Sequence, residues 1–240
     1  MSETPAREVV LFDLDQTVVP WDTQLVFRSY VLQQEPWRRA LGVVFPLFLP
    51  FGKLLGAGGL KQVFHSYLWG MKSATLRQHA RQFAQDWVPK LAYPEILEEV
   101  KAHREAGRNV ILSSASPDLW AAEIGRELGF TSTEGTRFDW GDRVPFFPQL
   151  LSPNHKGREK VVRLAARGIH QAQAGYSDSA ADLPMLALCQ EKTLVHPLPG
   201  VCKIGEDQNW RILHPPKPWK NRLAFALAGA RQYLGLWQPK

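Results

Sequence analysis

Residues 7–17 read REVVLFDLDQT. An apolar run turns acidic here, the pattern of a buried parallel strand at the point where it leaves a sheet. Residues two apart on an extended segment point the same way, roughly 6.6–7 Å along the chain. Asp13 and Asp15 therefore set two carboxylates at one strand end, followed by the hydroxyl of Thr17.

The pattern repeats downstream. Pro94 suits a first helical turn, Ile96, Leu97 and Val100 share a face and Gly107 can close it, so a helix is expected over 94–106. NVILSSASPDLW then gives a strand, a small-residue turn and a new helix; 158–167 reads as an amphipathic helix ending at Gly168; QAQAGYSDSAADLPMLALC again gives strand, acidic turn and helix. Alternating strands and helices predict an α/β fold, a Rossmann-like parallel sheet covered on both faces, with ligands at the carboxyl ends of its strands. The 73 residues from 20 to 92 are too many for a plain loop. Apolar spacings predict helices over 23–34, 60–70 and 73–87, a helical cap closing over the end of the first strand. The expected organisation is a catalytic core of 1–19 and 93–213, a cap of 20–92, and a basic amphipathic tail of 214–240. A smaller insert, 131–152, reads as a hairpin around TRFDWGDRVPF, and the glycine-rich GAGGLK at 56–61 lacks P-loop spacing and reads as a turn.

Two carboxylates as close as Asp13 and Asp15 repel unless a cation or proton lies between them. Mg²⁺ is the expected cation, hard, oxygen-seeking and a natural partner of phosphate; the alternative is a pair that only caps a turn. Ser113, Ser114 and Ser116 precede Pro117-Asp118, where backbone N–H groups and the Ser114 hydroxyl can bind an anion and Ser116 can cap the next helix. Lys160 lies near a helix start, where a fixed cation can neutralise a phosphate oxygen. Asp178 and Asp182 form a second acidic cluster suited to complete a metal site. His65 and His79 share no metal spacing, and Cys189 reads as core.

These four motifs, in this order over residues 7–213, resemble the haloacid dehalogenase superfamily, in the branch containing phosphoserine phosphatase. The resemblance implies a phosphomonoester hydrolase with Asp13 as the nucleophile that forms an aspartyl phosphate and Asp15 as acid and base. It implies that Thr17 orients Asp15 and belongs with Ser114 and Lys160 to the phosphate-binding set. The Mg²⁺ ligands would be Asp13, the Asp15 backbone carbonyl and Asp178, with Asp182 hydrogen-bonding behind them. Position 16, commonly Gly or Ser in the family, is Gln here. The phosphoserine-specific members carry a cap acid and an arginine; Asp22 can replace the acid, but FHSYLWGMKSATL lacks the arginine-bearing run. The cap and GYSDSAADLPMLALCQ are also similar to C-type phosphatidylglycerophosphatase, which favours a lipid phosphate as substrate over a small soluble phosphomonoester. A phosphotransferase, or a catalytically silent membrane-surface module on the same fold, are the rival readings.

The chain's 240 residues, 45% hydrophobic and 22% charged, suit one substantial core with an insert. MSETPAREVV has no apolar run behind a basic start, which predicts no secretory signal, and Cys189 and Cys202 show no metal or redox spacing. A cytoplasmic protein is expected, with peripheral contact to the inner face of the membrane. The net charge of +6 is uneven, since Lys217, Lys220, Arg222, Arg231 and Lys240 put +5 on the acid-free residues 214–240. No finger spacing or basic recognition helix suggests nucleic acid; an anionic membrane surface explains the tail more simply. Residues 40–52, ALGVVFPLFLPFG, carry no charge, and buried cap helix, interfacial element and membrane span all stay open for them.

Overall fold

The computed structural model describes residues 8–52, 54, 56 and 58–239, so the expectations for the first seven residues and for Lys240 lie outside it. The chain enters through β1 (Val9–Phe12), buried along nearly its whole length. Beyond the turn at 13–22 come α1 (Thr23–Gln34), a 3₁₀ stretch (Pro36–Val43), α2 (Val44–Phe48), a second 3₁₀ turn (Leu49–Phe51) and α3 (Gly59–Phe64). α4 (Ser73–Asp86) and α5 (Val88–Leu91) return the chain to α6 (Pro94–Glu105), which starts on proline and ends before Gly107 at φ 75°. Then follow β2 (Asn109–Pro117), α7 (Asp118–Glu127), β3 (Ser132–Thr136) and the short β4 (Phe138–Asp139) and β5 (Gln149–Leu150). The remainder is α8 (Arg158–Ala166), β6 (Ala172–Ser177), α9 (Leu183–Leu186), β7 (Cys189–Val195), α10 (Pro199–Asp207), β8 (Arg211–Leu213) and α11 (Arg222–Tyr233).

Six strands form one parallel sheet in the order β3-β2-β1-β6-β7-β8. Counting those six alone, the order is the Rossmann one, and its switch point falls between β1 and β6. Register decides what meets there. Phe12 pairs with Leu112 on one side and Tyr176 on the other, and Asp13 N–H donates to the Tyr176 carbonyl at 2.9 Å. The next residues, Asp13 just past β1, Ser113 within β2 and Ser177 at the end of β6, therefore stand side by side. Below them Phe12 stacks on Tyr176 with ring centroids 4.1 Å apart, closing the strand ends to water.

The insert expected at 131–152 is smaller than its sequence suggests. Ser132–Thr136 joins the main sheet in parallel beside β2, and only β4 and β5 make the antiparallel hairpin. STEGT has no apolar run because it is an edge strand, so nothing in its composition separates it from a turn.

The helices from 23 to 91 share one hydrophobic cluster with the sheet, running from Val10 and Phe12 through Phe27 and Phe83 to Trp120. Phe27 of α1 stacks on Trp120 of α7 at 4.5 Å. α1 is also covered on its outer side. Arg28 Nε donates to Tyr233 O at 2.8 Å, and Ser29 Oγ and Gln33 Nε2 each donate to Trp237 O at 2.6 Å. The buried Arg28 guanidinium lies 4.2 Å and 4.6 Å from the ring centres of Tyr233 and Tyr67, which replace a counter-ion. The tail is thus the outer wall of α1, and Trp219 and Trp237 pack on Trp21.

Residues 40–52 are neither a buried helix nor a span. The segment is broken into short helical pieces, with Pro46 inside α2 and Pro50 inside the 3₁₀ turn that follows, and Val43, Leu47, Leu49 and Phe51 are exposed. Among the described residues no helix is long and apolar enough to cross a membrane.

Because Phe27 belongs to both α1's packing and the sheet's, Phe27→Ala should cost about 3–5 kcal/mol. Urea unfolding followed by tryptophan fluorescence should show one transition at a lower midpoint. Two separate transitions would mean that the helical region and the sheet unfold independently.

Candidate active site

Asp13 follows β1 directly and is almost fully buried. Its Oδ1 accepts from Lys160 Nζ at 2.6 Å, and the same ammonium donates to Asp182 Oδ2 at 2.8 Å. Lys160 lies in the first turn of α8 and is wholly enclosed. Burial alone pulls its pKa down, but Asp13 and Asp182 outweigh it and hold the ammonium charged. Asp182 also accepts from Ser177 Oγ at 2.8 Å.

The second carboxylate is held separately. Asp15 Oδ1 accepts the Thr23 N–H at 2.7 Å, and Oδ2 accepts from Ser116 Oγ at 2.9 Å. Ser116 Oγ is 2.8 Å from Thr23 Oγ1. With Ser116 donating to Asp15, Thr23 donates to Ser116 in a two-hydroxyl relay. Burial pushes Asp15 up to about 6, Asp22 adds repulsion, and the donors from Thr23 and Ser116 pull the other way.

Two sequence expectations are corrected here. Thr17 does not orient Asp15: its hydroxyl lies 3.3 Å from Asp13 Oδ2 and 3.4 Å from Asp178 Oδ1, and accepts the Asp178 N–H at 3.0 Å. The turn causes this, because Gln16 adopts φ 63° and breaks the strand alternation that aligned the three residues. Ser116 does not cap α7. β2 runs on to Pro117, the helix starts at Asp118, and the Ser116 hydroxyl is spent on Asp15. Ser114 is fully buried with its Oγ accepting the Ser116 N–H at 3.0 Å, which leaves its own proton to donate.

Asp13, Asp15, Lys160, Asp178 and Asp182 all line one small pocket of about 200 Å³. Burial pushes Asp13 up to about 7 against the pull of Lys160, with Asp182 and Asp15 repelling it, and burial followed by repulsion from Asp13 pushes Asp178 up to about 7. Lys160 alone faces Asp13 and Asp182, and no ion pair serves Asp178 among the described residues. That imbalance, with oxygen-only donors, fits a hard divalent cation. Among the described residues no three His, Cys, Asp or Glu side chains converge on a metal position. A cation here would be held by the carboxylates of Asp13 and Asp178, the Asp15 carbonyl and water, a mixed set that Mg²⁺ accepts.

Asp22, which the sequence offered as a cap acid, lines the pocket, and around it lie two residues that sequence reasoning missed, Lys61 and His155. Lys61 Nζ on α3 donates to the Ala115 carbonyl and, at 2.8 Å, to Asn154 Oδ1. Burial pushes it down to about 8 against the pull of Asp15 and Asp22. Lysine in a glycine-rich run gives no signal by itself; only the fold brings it beside Ala115. Asp22 Oδ1 caps α1 through the N–H groups of Gln24 and Leu25, and Asp22 lines the pocket with Lys156. His155 Nε2 lies 2.9 Å from Ser113 Oγ, and burial, with Lys160 and Arg163 nearby, drives it down to about 3.

A sheet of Rossmann order thus carries paired carboxylates, a buried lysine and a serine-rich strand end at its switch point, a setting suited to a cation and an anionic ligand. Comparison with known proteins gives the family. Residues 10–187 match the model of the haloacid dehalogenase-like hydrolases. The chain belongs to that family of hydrolases. Protein CicA of Caulobacter vibrioides (strain NA1000 / CB15N) is 29% identical over 191 residues, 77% of this chain and 84% of that one. Phosphoserine phosphatase SerB1 of Mycobacterium tuberculosis (strain ATCC 25618 / H37Rv) is 25% identical over 214 residues, 84% of this chain and 68% of that one. A solved protein of unknown function from Bordetella pertussis Tohama I shares the fold, with a TM-score of 0.71 at 22% identity, covering 86% of this chain and 98% of the other.

Gln16 explains the family's small residue at this position. A left-handed conformation costs a side chain about 1 kcal/mol relative to glycine. Gln16→Gly should therefore raise the unfolding free energy by about that amount in urea titration, since Gln16 is exposed and its side chain makes no hydrogen bond among those described. A loss of stability would show that the side chain matters more than the backbone.

Proposed function

We propose that the protein is a Mg²⁺-dependent phosphatase that works through an aspartyl phosphate on Asp13, with a lipid phosphate such as phosphatidylglycerophosphate as substrate. The observation that carries the chemistry is the division of labour between two carboxylates at one strand end. Asp13 is oriented by Lys160, and Asp15 hangs on a separate relay through Ser116 and Thr23.

In the first half-reaction an Asp13 carboxylate oxygen attacks phosphorus, and the bond from phosphorus to the substrate oxygen breaks. That oxygen takes the proton of the Asp15 carboxyl and leaves as the alcohol. In the second, a water attacks phosphorus and gives its proton to the Asp15 carboxylate. The bond to Asp13 breaks, inorganic phosphate departs, and both side chains return to their starting states. An acid near pH 6 serves both directions at neutral pH, which matches the position to which burial pushes Asp15. Lys160 and the Ser114 hydroxyl hold the phosphate oxygens. A bound Mg²⁺ would neutralise charge on the phosphoryl group.

The lipid reading rests on the exposed apolar segment at 43–51 and the aromatic basic tail. A pocket of about 200 Å³ admits a phosphate and a short polar head, leaving the rest of a lipid outside. The same small size, and the phosphoserine phosphatase among the relatives, favour a second reading in which the substrate is a small soluble phosphomonoester.

Asp13→Asn should reduce hydrolysis of p-nitrophenyl phosphate by about a thousandfold or more with an unchanged circular dichroism spectrum. Asp15→Asn should cost about 10²–10⁴-fold, and less for more acidic leaving groups. Near-normal turnover by folded Asp13→Asn protein rules out the aspartyl phosphate. Phosphatidylglycerophosphate in detergent against phosphoserine, compared by kcat/KM, separates the two substrate readings.

Metal dependence carries a pH signature. Asp13, Asp15 and Asp178 titrate higher in the folded protein than in an unfolded chain, so the metal-free fold holds extra protons between about pH 4 and 7. Their contribution to stability is therefore full in acid and is lost as pH rises through 6 to 7. Mg²⁺ binds the ionised forms and reverses this loss. Saturating Mg²⁺ should raise the melting temperature by about 5 °C or more at pH 8 and much less at pH 5. A shift of equal size at both pH values would place the cation elsewhere.

A further inference from the structure

Charge is segregated along this chain more sharply than its tail alone indicates. Residues 36–85 carry seven Lys and Arg and residues 208–240 carry six, and neither stretch contains an Asp or Glu. The remaining 157 residues carry 16 basic against 23 acidic side chains. Exposed apolar side chains follow the same division. Of the 15 large apolar residues exposed among the described ones, 12 lie in those two stretches, including Leu47, Phe51, Leu223 and Leu227.

The fold joins the two stretches. Tyr233 Oη donates to the Gly42 carbonyl, and Arg39 donates to Gly235 O at 3.2 Å. Val43, Pro46, Leu234 and Leu236 line a common groove of about 370 Å³ with Arg28 and Arg39. Also along the tail, Trp21, Trp219 and Trp237 line a cavity of about 1000 Å³ with Lys90, Lys220 and Arg231. Neither cavity has a carboxylate in its lining, whereas the catalytic pocket has five. Leu223 and Leu227 are one helical turn apart and both exposed, so α11 turns an apolar strip outward.

We infer that the 36–54 segment and α11 together form a docking face for an anionic lipid bilayer, with the leucines entering the interface and the surrounding lysines and arginines meeting the headgroups. Charge selects this occupant. A soluble protein partner would need an acidic surface matched to an apolar strip, whereas an anionic bilayer presents negative charge over apolar chains everywhere. Tryptophan and lysine around one cavity suit the depth at which headgroup and chain meet. The face stands independently of which phosphate the enzyme hydrolyses, because docking is measured without turnover.

The test is co-sedimentation of the full chain with vesicles of phosphatidylglycerol and phosphatidylcholine, with phosphatidylcholine alone as control. The protein should bind the anionic vesicles, weaken as salt rises, and largely ignore the neutral ones. Leu47→Glu, Leu223→Glu and Leu227→Glu combined should weaken binding by at least about tenfold while leaving p-nitrophenyl phosphate hydrolysis unchanged. A charge-only variant, Lys217→Gln with Lys220→Gln and Arg222→Gln, should lose the salt-sensitive part and keep the fold. No binding to anionic vesicles, equal binding to neutral ones, or binding unaffected by both variants overturns the assignment. A dimer in sedimentation velocity that the leucine substitutions dissolve also overturns it, because the face would then cover a second copy. Loss of hydrolysis in Asp13→Asn protein with vesicle binding intact separates this face from the catalytic reading.

Discussion

Lys160 Nζ is enclosed between Asp13 at 2.6 Å and Asp182 at 2.8 Å, and the geometry of the site follows from that contact. The three residues come from the end of β1, the first turn of α8 and the turn after β6. An ammonium taken fully out of water costs several kcal/mol and repays it only with well-placed anions. The three segments are therefore pinned to one another at the switch point of the sheet. Asp13 gains an orientation it would not keep as a solvated side chain. The arrangement is a poor stability device, since Asp178 adds a carboxylate that no ion pair among the described residues answers. Repulsion left in place at a ligand-sized pocket would be relieved by a bound cation.

The parts of the site legible in sequence are those fixed by strand geometry. An apolar run ending in Asp, repeated with Ser and again with Asp, places three polar turns on one sheet edge, and the register of β1 with β2 and β6 brings them level. Helices over 23–34 and 158–167 follow from apolar spacing and a terminal glycine. What eluded the sequence begins where the strand stops. Gln16 at φ 63° turns Thr17 back toward Asp13 and Asp178, so an argument from alternation assigns the hydroxyl to the wrong carboxylate. Ser116 and Lys61 take their roles from partners 101 and 54 residues away. β3 has no apolar signature, because at the edge of a sheet its backbone pairing does the work that side chains do elsewhere.

Burial of α1 on nearly every side also escaped periodicity, which assumes one wet face. The missing cover is the tail, whose backbone carbonyls at Tyr233 and Trp237 satisfy Arg28, Ser29 and Gln33. Basic composition alone leaves the tail's place open between membrane and core. It has an inner face that completes α1 and an outer face of exposed leucines, so packing on the core uses only half of it. α1 is in turn locked to α7 through Phe27 and Trp120. The helical region is thus packed against the sheet's covering helix, and its more exposed part is the proline-containing segment from 36 to 52.

Charge sign then distinguishes the concavities of the molecule. The catalytic pocket is lined by five carboxylates, with Lys160 already engaged by two of them and Lys156 at its lip. By itself such a pocket repels a phosphate dianion. The cavities beside the tail hold lysines and arginines without a carboxylate and attract anions directly. An anionic ligand meeting the bare chain is thus favoured at the tail, and it is favoured at Asp13 only once positive charge has been added there. Coulomb attraction between unit charges a few ångströms apart is about 4 kcal/mol under partly screened conditions, enough to invert that preference when a divalent cation enters. On the proposed chemistry, a cation would therefore favour phosphate entry as well as neutralise charge during transfer.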